Sequence, residues 1–336
     1  MEILASEDAV GRIGARLKTI APSATLTSIG PGGRLSRNDE PIEDGASDPE
    51  VFFVSLDLYV AGLLPIVLRR MRDGTKGAFA QLFNAGLDAP IFRTLMEKGL
   101  KLAKSSAQAP AIAEYVMAHA LARLHPIDAQ RALQTAKSWA PAPFREIGAT
   151  HWVMIGYGSI GVEIAKRLKP FGARLTIVRR QAAKDTLGDQ VVTPDELGAV
   201  LPDADVVVLA CALTDETRGL VDERFLEALK PGALLINIAR GAVVNEAALR
   251  AGLDVDRPGH AVLDVFDEEP LPTTSWIWSH PKITATAHCS NAGDGVLARG
   301  DELFLENLHR YIQGRPLLNL ANLSETGAAR RPDPAV

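Results

Sequence analysis

Cysteine is scarce. Only Cys211 and Cys289 occur in 336 residues, so no disulfide framework can be built. That scarcity fits a reducing compartment, and a cytoplasmic location is expected. Both cysteines sit among apolar or small residues, which predicts buried, inert thiols. Basic charge is not in excess either: 36 Lys and Arg stand against 41 Asp and Glu, a net charge of −5. A phosphate backbone rewards clustered Lys and Arg, so no nucleic-acid partner is expected. The opening residues, Met1-Glu2-Ile3-Leu4-Ala5-Ser6-Glu7-Asp8, carry neither a basic leader nor a long apolar stretch, and no signal peptide is expected. No segment repeats at a fixed period. One long apolar run, residues 51–68, precedes Arg69-Arg70-Met71-Arg72, the outline of a membrane span with a positive flank. Asp57 and Pro65 interrupt that run, and a carboxylate in hydrocarbon is expensive. A buried strand followed by a helix explains it better, and no membrane partner is expected.

What is present is the composition of a globular chain, 47% hydrophobic and 23% charged, long enough for two domains of ordinary size. Strand-like runs at 3–5, 24–29, 51–54, 77–85 and 100–103 alternate with helical stretches such as 10–18. Residues 31–49, rich in Gly, Pro, Asp and Asn, read as an exposed loop. Residues 110–124 form a strong helix with its proline at the start, and 127–139 a second one. Pro141-Ala142-Pro143 ends helical structure. A second series of short strands follows at 152–155, 174–178, 206–210, 233–238, 260–263 and 283–285. Each is apolar on both faces, as a parallel strand covered on both sides must be. Helices at 161–169 and 223–229 lie between them, and a last helix spans 294–313. The polar, Pro-rich tail is expected to be disordered. The alternation predicts an α/β fold of parallel sheets with helices on their faces.

Gly156-Tyr157-Gly158-Ser159-Ile160-Gly161 is a G-x-G-x-x-G pattern that follows the strand WVMI and opens the helix GVEIAKRLKP. That context is what the chemistry requires. Gly156 permits the tight turn, Gly158 lets the backbone approach a pyrophosphate, and Gly161 lets the helix pack close. Free N–H groups and the helix dipole then hold the phosphates. An NAD site would place Asp or Glu at the end of the next strand, about 20 residues on, for the ribose hydroxyls. Here Arg179-Arg180 stand there. Two guanidinium groups suit a 2′-phosphate, so NADP(H) is the expected cofactor, with NAD(H) as the lesser option.

Three charged residues lie just beyond later strands: Arg240 after ALLINIA, Glu269 after HAVLD and its turn, and His288 after KITATA. In such sheets ligands bind at the carboxyl ends of strands. An Arg fork can hold the carboxylate of a 2-oxo acid and fix the plane of attack. Hydride delivery leaves charge on the carbonyl oxygen, so a proton donor is needed, and His suits that task. A neighbouring carboxylate would raise its pKa and orient the ring. By spacing alone Glu269 is no more marked than Asp267 or Glu268. No metal is called for.

Together these motifs resemble the D-isomer-specific 2-hydroxyacid dehydrogenase family, which includes glyoxylate/hydroxypyruvate reductases, phosphoglycerate dehydrogenases and D-lactate dehydrogenases. The matching runs are IGYGSIG (155–161), DVVVLACALTDETRGLV (205–221), LKPGALLINIARGAVVNEAAL (229–249), LDVFDEEPLP (263–272), TATAHCSNAG (284–293) and ENLHRYIQGRPLLNLAN (306–322), spread over residues 76–322. The resemblance implies roles: Arg240 in substrate binding, Glu269 as its dyad carboxylate, His288 as the acid/base, and Asp264 on the nicotinamide carboxamide. It also implies that Asn84, Ala85 and Gly86 hold the substrate carboxylate through backbone N–H groups. Ala212, Thr217 and Ile238 complete the implied cofactor set. Two Rossmann-like domains with parallel sheets are implied, the C-terminal segment returning to the first. The substrate domain would span 1–113 with 291–336, the dinucleotide domain 114–290, and the assembly would be a homodimer. The chain departs from the family pattern in residues 31–72, at Ser105-Ser106, at Ala287 and at Asn291. Glu269 argues against a formate dehydrogenase, where glutamine is usual. The expected reaction is hydride transfer between NADP(H) and a small 2-oxo or 2-hydroxy acid of the glyoxylate or hydroxypyruvate kind. The alternative is a dinucleotide-sensing regulatory protein on the same scaffold.

Overall fold

The computed structural model describes residues 1–181, 185–323 and 326; the tail for which disorder is expected lies outside the described residues. The chain divides into two compact units, one made of residues 1–107 and the described residues from Asp294 onward, the other of Gln108–Gly293.

The first unit opens with β1 (Glu2–Ser6), α1 (Glu7–Ile20) and β2 (Thr25–Ile29). The Ser6 hydroxyl caps α1 by accepting from the Ala9 N–H, and Glu7 and Asp8 complement the helix dipole in the first turn. β3 (Leu35–Arg37), β4 (Glu40–Ile42) and β5 (Val51–Val54) follow. Then come α2 (Leu56–Val60), α3 (Leu64–Asp73), β6 (Phe79–Leu82), α4 (Pro90–Glu97) and β7 (Lys101–Ala103). Strand order is β4-β3-β2-β1-β5-β6-β7, and the five strands from β2 to β7 along that row are parallel. The row 2-1-3-4-5 within it is the flavodoxin-like doubly wound order.

Residues 31–49 are not the simple exposed loop that their composition predicts. β3 and β4 form an antiparallel hairpin on the β2 edge, with Leu35 buried. Asn38 and Asp39, at φ 49° and 66°, supply the two left-handed residues of a tight hairpin turn. The Glu2 carboxylate ties the hairpin down, accepting from Arg37 Nη2 at 2.8 Å, Thr27 Oγ1 at 2.6 Å and Ser47 Oγ at 2.7 Å. The three-residue strands are too short for alternation to be read. The apolar run 51–68 is β5 plus two helices broken at Gly62 (φ 67°), and no helix among the described residues is long and apolar enough to cross a membrane.

The second unit begins with α5 (Ala109–Leu124) and α6 (Ile127–Thr135). α6 stops four residues before the expected Trp139, because Lys137 turns left-handed at φ 52°. β8 (His151–Ile155), α7 (Ser159–Leu168), β9 (Arg174–Val178), β10 (Gln190–Val192), α8 (Leu197–Val200) and β11 (Val206–Leu209) follow. α9 (Glu223–Ala228), β12 (Leu234–Asn237), α10 (Glu246–Asp254), β13 (His260–Leu263) and β14 (Ile283–Ala285) complete the unit. The sheet is wholly parallel in the order β10-β9-β8-β11-β12-β13-β14, the doubly wound 3-2-1-4-5-6 row with one strand added. β8, β11, β12 and β13 are buried along their whole length, whereas the edge strand β14 is half-buried rather than covered on both faces. Apolar clusters fill both faces, one around Leu209, Leu235 and Leu263, the other around Trp152, Ile164 and Val208.

Finally α11 (Val296–Ile312) returns to the first unit. The Phe304 ring stacks on Phe53 at 4.2 Å. Arg12 of α1 bridges Asp301 of α11 and Asp57 of α2, each at 2.7 Å.

Candidate functional site

The site loops of the second unit leave its sheet from a single transverse row. Val178, Ile155, Leu209, Asn237, Leu263 and Ala285 are register partners across six adjacent parallel strands. Parallel strands end on the same side, so the glycine loop, Arg179, Arg240, Asp264 and His288 all emerge at one edge.

At Gly156 the chain turns with φ 96°, and an added Cβ would lie 2.5 Å from the Cys211 backbone N. Only glycine fits so close a passage beneath the end of β11. A Cβ on Gly161 would press the Gly156 carbonyl at 2.9 Å, which fixes α7 against the turn. Around Gly158, by contrast, a Cβ would meet nothing within 4 Å. Gly158 is also the N-cap of α7 and makes no side-chain capping bond. A pyrophosphate needs open space above a helix N-terminus with unshielded N–H groups, so these residues fit the dinucleotide. Arg179 lies with its guanidinium carbon 5.9 Å over the Tyr157 ring, and Arg180 is exposed. Tyr157 donates to Asp185 Oδ1 at 2.9 Å, and burial together with this carboxylate pushes its phenol pKa up. Asp185, beyond β9, carries no motif and is not found by sequence reasoning. Thr217 Oγ1 donates to the Ala212 carbonyl at 2.7 Å, folding the loop after β11, and Ile238 is buried. Cys211 is half-buried, and desolvation lifts its thiol to about 11, as an inert thiol requires. Cys289 is exposed rather than buried, because its backbone turns inward onto Asp264 and leaves the side chain outside.

The charged set assembles at the ends of β12, β13 and β14. Glu269 Oε2 lies 2.7 Å from His288 Nδ1, and its Oε1 accepts from the Phe266 N–H at 2.9 Å. The carboxylate is thereby anchored on its own turn while it holds the ring, leaving Nε2 as the outward nitrogen. Exposure does not separate Glu269 from Asp267 and Glu268, since all three are exposed; the contact with His288 does. Arg240 precedes Gly241, whose absent side chain lets two backbones meet: a Cβ there would lie 1.9 Å from the Phe266 carbonyl carbon. The Arg240 turn therefore rests directly on the turn that carries Glu269. Arg240 Nη1 donates to the Ala239 carbonyl at 2.7 Å, and Asn237 Nδ2 donates to the Arg240 carbonyl at 3.0 Å.

Asp264 is fully buried. Its Oδ1 accepts from Thr286 Oγ1 at 2.7 Å and from the Cys289 N–H at 2.8 Å, and its Oδ2 from the Ser290 N–H at 2.9 Å. Its main-chain carbonyl accepts the His288 N–H at 2.8 Å, where His288 takes a left-handed φ of 48°. A non-glycine residue in that region needs surroundings that over-determine it, and Asp264 supplies them. Thr286 also pairs with the Tyr115 hydroxyl of α5 at 2.6 Å, a contact 171 residues apart that no local pattern reveals. Asn84, Ala85 and Gly86 belong to the first unit, separated from the end of β6 by one residue. The Asn84 carbonyl accepts from the Ser105 N–H at 2.9 Å, and Ser105 Oγ accepts from the Ala107 N–H at 3.1 Å, so Ser105-Ser106 still builds a turn without Pro-Gly.

Strand order and glycine loop together define a class, the dinucleotide-binding Rossmann domain. Residues 117–290 match the model of the D-isomer specific 2-hydroxyacid dehydrogenase NAD binding domain. A Corynebacterium melassecola protein, described as an uncharacterized protein in the proB 3′ region, is 30% identical over 247 residues, 71% of this chain and 80% of that one. Glyoxylate/hydroxypyruvate reductase A of Citrobacter koseri is 33% identical over 175 residues, which is 52% of this chain and 56% of the reductase. The match thus spans about half the length of that relative. A D-isomer specific 2-hydroxyacid dehydrogenase of Xanthobacter autotrophicus Py2, solved with NADPH and MES, superposes with a TM-score of 0.75 at 24% identity, covering 96% of this chain and 98% of that one. The chain belongs to the D-isomer specific 2-hydroxyacid dehydrogenase family, a family of NAD(P)-dependent oxidoreductases acting on CH–OH groups.

Proposed function

We propose that the protein reduces a small 2-oxo acid of the glyoxylate or hydroxypyruvate kind, with NADP(H) as preferred cofactor and NAD(H) as the lesser one. The observation that carries this reading is the 2.7 Å pair of His288 Nδ1 and Glu269 Oε2, set beside the Arg240 turn at the row where the glycine loop also begins. The glycine loop and the N-terminus of α7 hold the pyrophosphate, and Arg179 and Arg180 hold the 2′-phosphate. NADPH, when bound, supplies the hydride. Arg240 takes the substrate carboxylate in its guanidinium fork and orients the carbonyl. His288 passes its Nε2 proton to the carbonyl oxygen as charge grows there, and Glu269 holds the ring and balances the imidazolium. The product is the 2-hydroxy acid, and the reverse direction starts from neutral His288. Asp264 sets the histidine loop with three donors on the roughly four acceptor sites of its carboxylate, and the one left on Oδ2 is proposed for the nicotinamide carboxamide. Asn84-Ala85-Gly86 of the first unit is proposed in the role that the resemblance implies, as backbone N–H donors to a carboxylate.

NADPH oxidation with a panel of 2-oxo acids, run beside NADH, tests the reading. Turnover on glyoxylate or hydroxypyruvate is expected, and the double variant Arg179→Ala/Arg180→Ala should weaken NADPH by roughly 10²-fold or more while NADH changes little, since bonds between charged groups are worth roughly 1.5–3 kcal/mol each. Equal losses for both cofactors would remove the arginine pair from 2′-phosphate recognition. NADPH binding without turnover on any acid would favour a sensor.

A homodimer is also proposed. α6 contains no buried residue, and Trp139 beyond it is 104% exposed, with Phe144 at 53%. The exposed aromatic side chains of this segment are suited to covering by a second copy. Sedimentation velocity should give twice the chain mass, with Trp139→Ser shifting the equilibrium toward monomer; a monomeric wild type rules the dimer out.

A further inference from the structure

We propose that Tyr59 is a positioning residue for the substrate-carboxylate loop, acting through the Asn84 side chain to make the loop selective for anionic 2-oxo acids. This rests on the reading of Asn84-Ala85-Gly86 given above. Tyr59 lies in α2, inside the segment 31–72 that departs from the family pattern, and no motif marks it. Its hydroxyl donates to Asn84 Oδ1, and its ring packs on Phe83, the residue before Asn84, at 5.6 Å and 59°. The backbone of Asn84 is held separately, by the Ser105 N–H on its carbonyl. Main chain and side chain of the first loop residue are therefore pinned from two different elements.

The chemistry follows from what an amide can offer. A carboxamide presents one acceptor oxygen and one donor nitrogen, and a half-turn about its last torsion exchanges them. A phenol hydroxyl is a better donor than acceptor, because its oxygen lone pair is drawn into the ring, so the bond to Oδ1 favours this orientation over the turned one. The oxygen is then turned toward Tyr59 with one lone pair engaged, and the Nδ2 hydrogens are left as donors on the opposite edge of the amide. The edge that carries Nδ2 suits a carboxylate, whereas an amide free to turn would also present an oxygen that repels one. Without the Tyr59 hydroxyl the loop keeps its backbone N–H groups but loses the fixed polarity of its side chain.

Tyr59→Phe keeps the ring and removes only the hydroxyl. Relative to wild type, KM for glyoxylate is expected to rise about tenfold, the scale of one neutral hydrogen bond. Turnover should stay within about twofold and KM for NADPH should not move, because the bond acts on substrate binding alone. The preference for glyoxylate over its uncharged methyl ester should shrink. Asn84→Ala should give a similar loss, and Tyr59→Phe on that background should add nothing. Calorimetric binding of oxamate to the NADP-loaded protein repeats the comparison without turnover, and thermal melting checks that each variant is folded. Unchanged KM and oxamate affinity in Tyr59→Phe, or an equal further loss on the Asn84→Ala background, overturns the proposal while the loop reading stands. A wild type that neither turns over 2-oxo acids nor binds oxamate removes the loop reading, and the proposal with it.

Discussion

Replacing His288 by alanine is expected to lower turnover by roughly 10²- to 10⁴-fold, the usual contribution of a positioned general acid. NADPH affinity should be unchanged, since the pyrophosphate and 2′-phosphate groups are proposed to bind at the other end of the strand row. Two features of the site argue for the upper part of that range. The ring is held through Nδ1 by a carboxylate that is itself fixed by the Phe266 N–H. Its backbone is held in a left-handed conformation by the Asp264 carbonyl. A group held at both ends is pre-organised, and its loss is poorly replaced by water. His288→Asn, which preserves much of the bulk, should be nearly as inactive. Steady-state rates with glyoxylate and a fluorescence titration with NADPH read the two quantities. Turnover within threefold of wild type would take His288 out of the mechanism.

Arg240→Lys should depress kcat/KM for a 2-oxo acid by about 100-fold, although charge is conserved. A guanidinium offers a planar fork to two oxygens, whereas an ammonium is a single point of attachment that leaves the acid free to rotate. The rotation matters because hydride transfer needs the carbonyl face presented squarely. The backbone at this position is not free to compensate: Gly241 packs on the Phe266 carbonyl, and Asn237 holds the Arg240 carbonyl. KM should therefore rise and kcat fall together, whereas a pure charge role would leave both near wild type. If Lys restores full kcat/KM, the proposed fork geometry is wrong.

Most of the sheet architecture is legible in the sequence because parallel strands covered on both faces must be short apolar runs. β8, β11, β12 and β13 fall where such runs occur, and glycines mark the loop at 156–161. The β3–β4 hairpin is not legible, since three-residue strands show no period and Gly, Pro, Asn and Asp are shared by loops and turns. β10, equally short, escapes for the same reason. Arg240 and His288 stand out as charges at strand ends. Spacing alone does not choose Glu269 among three adjacent acids; the family resemblance implies it, and in the structure a side-chain contact 19 residues away distinguishes it. Tyr59, Tyr115, Thr286 and Asp185 are invisible to pattern for the same physical reason: their partners are set by packing. Cys289 shows the converse failure, in that small neighbours in sequence do not guarantee burial when the backbone, rather than the side chain, faces inward.

The split composition of the first unit has a consequence for how the protein is made. Ribosomal synthesis delivers residues 1–107 long before α11, because the whole of Gln108–Gly293 must be translated in between. Until then Phe53 lacks the Phe304 ring that covers it, and Gln81 lacks the amide of Asn307. Arg12 has Asp57 but waits for Asp301. The nascent amino-terminal segment therefore carries an uncovered aromatic face during elongation, the interval in which a chaperone or a neighbouring chain competes for it.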